Sequence, residues 1–288
     1  MQASYPCASS FIDVSCTLAK LYPSQKVQFC RTVMRSRPMR QLARKVVLFS
    51  VKVTRTTQSP LKEKPLITLF HCMSARSFRP LWMLEELGIP YALEMLPFPP
   101  RALQRSYLDV NPLGTVPLLV DGNTRMTESV AICEYLCARH APTPLQVSPD
   151  EADFGAYLNY LHFGEATLTF PQTLVLRYAH FEPPERRQPS VAEDYAKWFL
   201  ARLKTLEPVL ANQPYLCANR FTAADVSVGY ALMLATHLGL APRFTPAVAA
   251  YWARLQARTG YIKALAAQQL AAQAQGVSEV PAPDIRPA

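Results

Sequence analysis

The pattern of apolar and polar positions changes near residue 150 of the chain. Between residues 66 and 140, short apolar runs typical of strands alternate with stretches of helical period. Gly88 and Pro90 are typical of a helix end, and Asp121-Gly122 is typical of a hairpin turn. The pattern predicts strands at 67–70, 91–96, 116–120 and 124–126, helices at 76–87 and 128–138, and a short helix or irregular segment at 101–110.

Downstream of residue 150 the strand-like alternation ends and long Ala- and Leu-rich periods follow, which predict an all-helical region. A βαβ unit followed by a ββα unit makes a small mixed sheet with helices packed on it. The fold class is therefore an α/β N-terminal domain at 66–142 joined to an all-α domain at 148–274. A basic extension occupies 1–65, and a Pro- and Ala-rich tail at 275–288 is expected to be disordered. The predicted helices of the second domain are 150–180, 191–211, 223–238, 246–258 and 261–272.

The formal net charge of +9 is concentrated in the first 65 residues, which hold 12 Lys and Arg against 2 Asp and Glu. The rest of the chain holds 18 basic and 19 acidic residues, so the body has no basic surplus for nucleic acid. The Arg-rich, acid-poor leader has the composition of a transit peptide. A disordered tail, a start codon assigned too far upstream and a nucleic-acid-binding arm are the alternatives that stay open.

Cysteine usage predicts a reducing compartment. There are seven cysteines, an odd number, and no CxxC pair. A cytoplasmic location is expected, or a mitochondrial one if the leader is a real transit peptide. His71, His162 and His180 do not form a metal-spaced set, so no metal site is expected. No apolar run approaches the roughly 20 residues of a membrane helix, and no membrane partner is expected.

Four short motifs follow one another in a defined order within this frame. They are Ser74-Ala75-Arg76-Ser77-Phe78-Arg79, Asn111-Pro112-Leu113-Gly114-Thr115-Val116-Pro117, Glu128-Ser129 and Thr222-Ala223-Ala224-Asp225. With these motifs, residues 66–273 resemble the soluble, cytosolic-type glutathione transferases, which join a thioredoxin-like domain to an all-helical domain. The resemblance implies glutathione as co-substrate with no tightly bound cofactor, a small apolar electrophile as second substrate, and a homodimer.

The resemblance assigns glutathione binding to the second and third motifs. In the family the Val116-Pro117 bond is cis, which frees the backbone of Val116 to pair with the cysteinyl part of glutathione. Thr115 is a further candidate, and a trans proline at an edge strand is the alternative. Glu128 and Ser129 begin a helix, whose free N–H groups and dipole favour an anion. Ser129 and nearby amides would donate to the γ-glutamyl carboxylate and Glu128 would bind the ammonium group, with plain helix capping as the alternative.

Ser74 is the predicted catalytic residue. Its spacing from Gly88 matches the hydroxyl of serine-type classes, although the class itself stays unassigned. The glutathione thiol, with a free pKa of about 8.5, reacts as a thiolate, and a hydroxyl that donates to sulfur favours that form. Ser77 is the nearest rival, and a helix N-cap is the alternative role of Ser74. Arg76 stands where zeta and beta classes carry a cysteine, and it would either attract an anionic substrate or merely be exposed.

The resemblance places the electrophile beside Tyr157, Tyr160 and Phe163, although aromatic residues at helical spacing are also typical of a core. Cys72 is interpreted as a strand-end residue rather than a nucleophile. A glutathione-dependent peroxidase or thiol reductase, and a non-catalytic carrier of glutathione or apolar ligands, are the alternative functions. The fourth motif predicts a capping box between Thr222 and Asp225, with a role in stability.

Overall fold

The structure, a computed structural model, describes residues 67–282 and begins with a four-stranded mixed sheet. Strand β1 (Ile67–His71) pairs in parallel with β2 (Tyr91–Met95) and antiparallel with β3 (Leu118–Asp121), which in turn pairs antiparallel with β4 (Thr124–Met126). The order is therefore β2-β1-β3-β4. The basic leader predicted at 1–65 lies outside the described residues, as do residues 283–288.

Four helices accompany the sheet within the described range. They are α1 (Phe78–Leu87), α2 (Pro100–Leu103), α3 (Tyr107–Val110) and α4 (Ser129–Arg139). Helix α1 ends at Gly88, whose φ of 65° lies in the left-handed region that glycine adopts without steric cost. This is the predicted stop, and the predicted βαβ–ββα order is confirmed.

The second domain is all-helical, as predicted. Its α-helices are α5 (Phe154–Phe163), α6 (Phe170–Leu176), α7 (Pro189–Leu203), α8 (Glu207–Leu210), α9 (Ala223–His237), α10 (Pro246–Gln256) and α11 (Thr259–Gln275). Two π-helical segments, Gly164–Thr169 and Arg177–Phe181, follow α5 and α6. Short 3-10 turns lie at Pro184–Arg186, Lys204–Leu206 and Ala241–Arg243.

Prolines explain where the predicted long helices break. The helix predicted at 150–180 contains Pro171, and the helix predicted at 191–211 contains Pro208. A proline has no N–H to donate to the carbonyl four residues earlier, so the regular ladder cannot continue through it. The first helix accordingly passes through a π segment just before Pro171, and the second becomes α7, a 3-10 turn and α8.

Helix α1 belongs to the sheet domain but packs into the helical one. Trp82 is completely buried, and its ring centroid lies 4.9 Å from that of Tyr261 in α11. Gly229 of α9 faces the same ring so closely that a Cβ there would lie 2.8 Å from it. Glu86, at the other end of α1, accepts two hydrogen bonds of 2.8 Å from Arg258. These contacts hold α9 and α11 against α1.

The first residues of the predicted disordered tail are packed on the protein, which corrects that expectation for the described part of the tail. After Gly276, Glu279 accepts hydrogen bonds from the Gln269 and Gln273 amides of α11 at 3.1 and 3.0 Å. The N–H of Ala282 donates to the carbonyl of Met73 at 2.7 Å. The segment is polar and proline-rich, and it is held by these tertiary contacts rather than by helical or strand pairing.

The start of α9 carries the predicted capping box, which confirms that expectation. The buried carboxylate of Asp225 accepts the N–H of Thr222 at 2.8 Å, the N–H of Leu216 at 3.1 Å and the hydroxyl of Tyr251 at 2.8 Å. One side chain therefore joins the helix start, the preceding loop and α10.

We expect Asp225→Ala to lower the free energy of unfolding by about 2–4 kcal/mol, because the cap is lost and two buried N–H groups are left without a partner. Urea unfolding of both proteins measures the difference. Asp194→Ala is the control, because its carboxylate is 77% exposed and lies 3.9 Å from Lys197; it should change stability by less than about 1 kcal/mol. Equal effects of the two substitutions would contradict the structural role of Asp225.

Candidate functional site

The turn between β1 and α1 holds Ser74 in an uncommon backbone conformation. Its φ is +53°, in the left-handed region that residues other than glycine seldom adopt, and the residue is 2% exposed. The N–H of Ala75 donates to the carbonyl of Cys72 at 3.1 Å, which tightens the turn. Such conformations persist where surrounding contacts hold them, and they cluster at functional sites.

Gln268 of α11 binds both the backbone and the side chain of Ser74. The Ser74 N–H donates to Gln268 Oε1 at 2.9 Å, and Gln268 Nε2 donates to Ser74 Oγ at 3.2 Å. A backbone N–H can only donate, so the amide atom that faces it is the oxygen, and this fixes the orientation of the glutamine. Ser74 Oγ is consequently an acceptor here, and its own hydrogen stays available for another partner.

His71 lies under the turn and is completely buried. Its Nε2 lies 2.9 Å from Gln268 Oε1, and its Nδ1 lies 2.7 Å from Ser77 Oγ. Because Oε1 only accepts, Nε2 carries the ring hydrogen and Nδ1 accepts the Ser77 hydroxyl. Burial lowers the pKa of His71 to about 4, against smaller upward effects of these hydrogen bonds, so the ring is neutral at pH 7. The hydroxyl hydrogen of Ser77 is thereby committed, whereas that of Ser74 is not.

The loop before β3 is anchored through the carbonyl of Thr115. That oxygen accepts hydrogen bonds of 2.9 Å from both the Tyr107 hydroxyl and Asn111 Nδ2. Gly114 turns the loop with a φ of 59°, and a Cβ there would lie 2.8 Å from Arg101 Cβ. The Val116-Pro117 peptide bond, which follows in the same loop, is cis. The predicted cis conformation is thus confirmed.

Ser129 opens α4, and Glu128 precedes it as the N-cap residue in extended conformation. Ser129 is 4% exposed, and its Oγ lies 3.2 Å from Arg79 Nη1. A guanidinium only donates, so Ser129 Oγ accepts and keeps its own hydrogen for an anion. Within residues 67–282 the Glu128 side chain makes no hydrogen bond that caps this helix, which leaves its carboxylate available for a cation.

The guanidinium of Arg79 is completely buried and uses all five of its N–H groups. It reaches from α1 to α4, to the first π segment and to α9, and it also lies 4.3 Å from the ring centroid of Tyr230. Its acceptors are Ser227 O (3.2 Å), Ser129 Oγ (3.2 Å), Glu165 Oε2 (2.5 Å), Gly164 O (3.2 Å) and Thr169 Oγ1 (2.7 Å).

Arg76 lies at the surface end of the same charged cluster. Its side chain is 37% exposed, and its Nε donates to Glu165 Oε1 at 2.7 Å. Burial lowers the pKa of Arg76, but Glu165, Tyr230 and Glu128 together raise it by more, so the pKa lies above its ordinary value. Burial raises the pKa of Glu165, whereas Arg79 and Arg76 lower it to below its usual range. Arg76 is therefore a partly exposed, ion-paired cation near Glu128.

Cys72 is a buried strand-end residue with a protonated thiol. Its Sγ lies 3.8 Å from the carbonyl oxygen of Pro97, and burial raises the pKa of the thiol to about 12. Across residues 67–282 no group of three or more His, Cys, Asp or Glu side chains is arranged to hold a metal ion. In the same range, no helix combines the length and the apolar character needed to cross a bilayer.

The three aromatic residues expected at the electrophile site lie in different surroundings. Tyr157 is 1% exposed and belongs to the main core beside Cys133 and Cys137, so the structure does not place it on an open wall. Tyr160 and Phe163 are half-buried and pack edge to face with centroids 6.2 Å apart. Phe163 borders a shallow cavity of about 370 Å³ along α5 and the first π segment.

Sequence reasoning missed the three side chains that hold the site together, namely His71, Arg79 and Gln268. Arg79 is the last residue of the first motif, and the available signal is a charged residue next to the buried face of α1. His71 stands one position before the turn, but its neutrality follows from burial alone. Gln268 lies 194 residues from Ser74, and no local pattern marks it.

Two family models match the chain: Glutathione S-transferase, N-terminal domain, at residues 73–139, and Glutathione S-transferase, C-terminal domain, at residues 171–259. Glutathione S-transferase GstA of Escherichia coli O157:H7 is 30% identical over 213 residues, covering 70% of this chain and 98% of the relative. Glutathione S-transferase 3 of Schizosaccharomyces pombe is 28% identical over 180 residues, covering 59% and 74%. The solved structure of Ure2p in complex with glutathione superposes with a TM-score of 0.62 at 25% identity, covering 70% of this chain and 100% of that chain.

We expect Arg79→Met to lower the free energy of unfolding by about 3–5 kcal/mol, because it leaves the Glu165 carboxylate and several acceptors without their buried donor. Arg177→Met is the matched control, since Arg177 also pairs with a glutamate at 2.8 Å but is 55% exposed. The control should cost less than about 1 kcal/mol. Urea unfolding measures both variants. Similar decreases in the free energy of unfolding would show that the buried Arg79 contacts stabilise the protein no more than an exposed ion pair does.

We expect acid to destabilise the protein through His71. Its pKa is about 4 in the folded protein and 6.5 when unperturbed. Between these values the unfolded chain binds the proton and the folded one does not, so the free energy of unfolding falls by about 3 kcal/mol as the pH drops from 6.5 to 4. This part of the slope should disappear in His71→Asn, measured by urea unfolding across that range. A slope that is the same in both proteins would place its origin elsewhere.

Proposed function

The chain belongs to the glutathione S-transferase family and is an enzyme of that class, and we propose that Ser74 activates its glutathione thiol for attack on a small apolar electrophile. The observation that carries the proposal is the direction of the hydrogen bonds at Ser74. Gln268 donates to Ser74 Oγ, so the hydroxyl hydrogen is left to donate to sulfur. A hydrogen bond to the charged form of a group lowers its pKa, and the thiolate is the reactive form.

For the γ-glutamyl end of glutathione we propose the N-terminus of α4. Ser129 has a free hydroxyl hydrogen because Arg79 donates to its oxygen, and the first N–H groups of the helix favour an anion. Glu128 supplies a carboxylate for the ammonium group. The backbone of Val116 would pair with the cysteinyl part of the tripeptide, and Thr115, fixed by its two hydrogen bonds, orients that loop.

Access to Ser74 requires a rearrangement of its surroundings, because the residue is 2% exposed. The N–H of Ala282 donates to the carbonyl of Met73, the residue before Ser74, and Ala282 packs against the buried cluster that includes Cys72 and Ala75. We propose that residues 277–282 are displaced when the thiol reaches the Ser74 hydroxyl. The sulfur would then lie on the side of the turn that residues 277–282 cover.

For the second substrate we propose an exposed aromatic pair that bridges the two domains. Phe98, in the loop after β2, is 41% exposed, and Phe181, after α6, is 52% exposed; their ring centroids lie 5.9 Å apart. The carbonyl of His71 accepts the N–H of Leu96, which places this loop at the Ser74 end of the sheet. Tyr160 and Phe163 stay further candidates for the apolar wall.

The alternative of a cysteine-dependent thiol reductase has less support. Cys72 is the cysteine nearest to Ser74 in the chain, and its pKa of about 12 keeps it a thiol at neutral pH. Arg76, where some classes carry a cysteine, is an ion-paired cation. A non-catalytic carrier would need the same glutathione pocket, so only turnover and thiol ionisation separate it from the enzyme. A homodimer stays a prediction from the family.

We expect the thiol pKa of bound glutathione to lie below its free value in the wild type and to rise by about 1–2 pH units in Ser74→Ala, the equivalent of one hydrogen bond to a charged group. Thiolate absorbance followed against pH at saturating glutathione measures it. The value of kcat/KM below the thiol pKa should fall by about 10–100-fold.

Ser74→Gly is the folding control for this experiment. Glycine adopts the φ of +53° without the steric cost that a Cβ carries there, so this variant should be at least as stable as Ser74→Ala and show the same raised thiol pKa. A lowered pKa that survives both substitutions would move the role to Ser77 or to the N-terminus of α1. Tight binding with no lowered pKa in the wild type would leave the carrier function.

A further inference from the structure

We propose that Gln268, from the last helix of the all-helical domain, is a positioning residue for Ser74 and sets the direction in which its hydroxyl hydrogen points. The inference rests on the proposed role of Ser74. Gln268 is 3% exposed and lies in α11, far along the chain from the β1–α1 turn. Its amide forms hydrogen bonds with the Ser74 backbone, the Ser74 hydroxyl and the His71 ring.

The amide of Gln268 suits this task because it has both an acceptor and a donor. Oε1 accepts the Ser74 N–H at 2.9 Å and faces His71 Nε2 at 2.9 Å. These two donors orient the oxygen, and Nε2 is then forced to face Ser74 Oγ at 3.2 Å. A serine hydroxyl has one hydrogen and two acceptor lone pairs. Because the amide N–H occupies a lone pair, the hydrogen must point away from Gln268.

The same contacts hold the backbone of Ser74 in its uncommon conformation. A φ of +53° is unfavourable for serine and needs support from its surroundings. The bond from the Ser74 N–H to Gln268 Oε1 supplies part of that support. His71 orients the same oxygen from below, and Ser77 in turn holds the other ring nitrogen of His71 at 2.7 Å. The chain Ser77–His71–Gln268–Ser74 is thus a connected buried network, in which each member fixes the orientation of the next.

Gln275 provides a matched control on the same helix. It also joins α11 to the sheet domain, since its Oε1 accepts the N–H of Met95 at 2.8 Å and its Nε2 donates to the carbonyl of Leu93 at 2.7 Å. Both of these hydrogen bonds go to the edge strand β2, and none of the hydrogen bonds found in residues 67–282 joins Gln275 to Ser74. The two glutamines therefore share the joining role, and only Gln268 has the positioning role.

Two substitutions test the donor and the acceptor of Gln268 separately. Gln268→Leu removes the whole amide, so the Ser74 hydroxyl becomes free to rotate. Gln268→Glu keeps acceptors for the Ser74 N–H and for His71 but replaces the donor by a second acceptor. The Ser74 hydrogen would then donate to the introduced carboxylate, and its hydrogen bond to the sulfur would be lost.

The experiment measures the thiol pKa of bound glutathione, by thiolate absorbance against pH, in the full-length wild type, Gln268→Leu, Gln268→Glu and Gln275→Leu. We expect Gln268→Glu to raise it by about 1–2 pH units, as Ser74→Ala does, and Gln268→Leu to raise it by part of that amount. Gln275→Leu should leave it unchanged, even if both leucine variants melt at lower temperature. In a Ser74→Ala background, Gln268→Leu should cause no further change.

A wild-type protein with a lowered thiol pKa that persists in Gln268→Glu would overturn the positioning role and leave the proposed function intact. The same holds if Gln275→Leu raises the pKa as much as Gln268→Leu, because the effect would then belong to helix docking. A wild type without any lowered pKa would overturn the proposed function and this inference together. Amide hydrogen exchange distinguishes a local effect from misfolding. In Gln268→Leu the exchange of the Ser74 N–H should become faster, whereas exchange in β3 should stay slow.

Discussion

A single buried cation, the guanidinium of Arg79, sets the geometry on which the rest of the structure depends. A charge without exposure is tolerated in a protein only when it is paired and its hydrogen-bonding groups are satisfied. Arg79 meets this condition with five acceptors, one of them the carboxylate of Glu165. The acceptors come from α4, α9 and the first π segment, so these elements must be in place before the charge is compensated. Arg79 therefore couples the compensation of a buried charge to the docking of the two domains, alongside the contacts of Trp82, Glu86 and Gln268.

The two serines of the proposed glutathione site share one device. Each accepts a hydrogen bond from a side-chain nitrogen that can only donate. Ser129 accepts from Arg79, and Ser74 accepts from Gln268. Each hydroxyl therefore keeps its hydrogen for a negatively charged partner. Arg79 is itself held by the helical domain, and Gln268 belongs to it. The two serines belong to the sheet domain, so the proposed glutathione site acquires its donor pattern only when the second domain is packed against it.

Close packing between helices fixes the positions of the side chains that support the two serines. A Cβ on Gly229 would clash with Trp82, and one on Gly164 would lie 2.4 Å from the Ser227 hydroxyl. Gly164 also accepts from Arg79, so the same position serves both packing and charge compensation. The uncommon backbone of Ser74 lowers stability, and the close contacts of α1 with α9 and α11 offset that cost. The supports of the site are therefore core contacts.

The sequence by itself determined the two-domain order, the strand and helix sequence, the Gly88 stop, the hairpin and the capping box at Asp225, because each depends on local period, turn chemistry or neighbours within a few residues. It also singled out Ser74, Glu128 and Ser129 through their place in short motifs. It missed the breaks at Pro171 and Pro208, where a local rule was available. Only the tertiary structure decided that Ser77 is committed to His71 and that Tyr157 belongs to the core. It alone assigned Gln268 and Arg79 to the donor pattern of the site, because hydrogen-bond direction and burial arise from contacts between segments far apart in the chain.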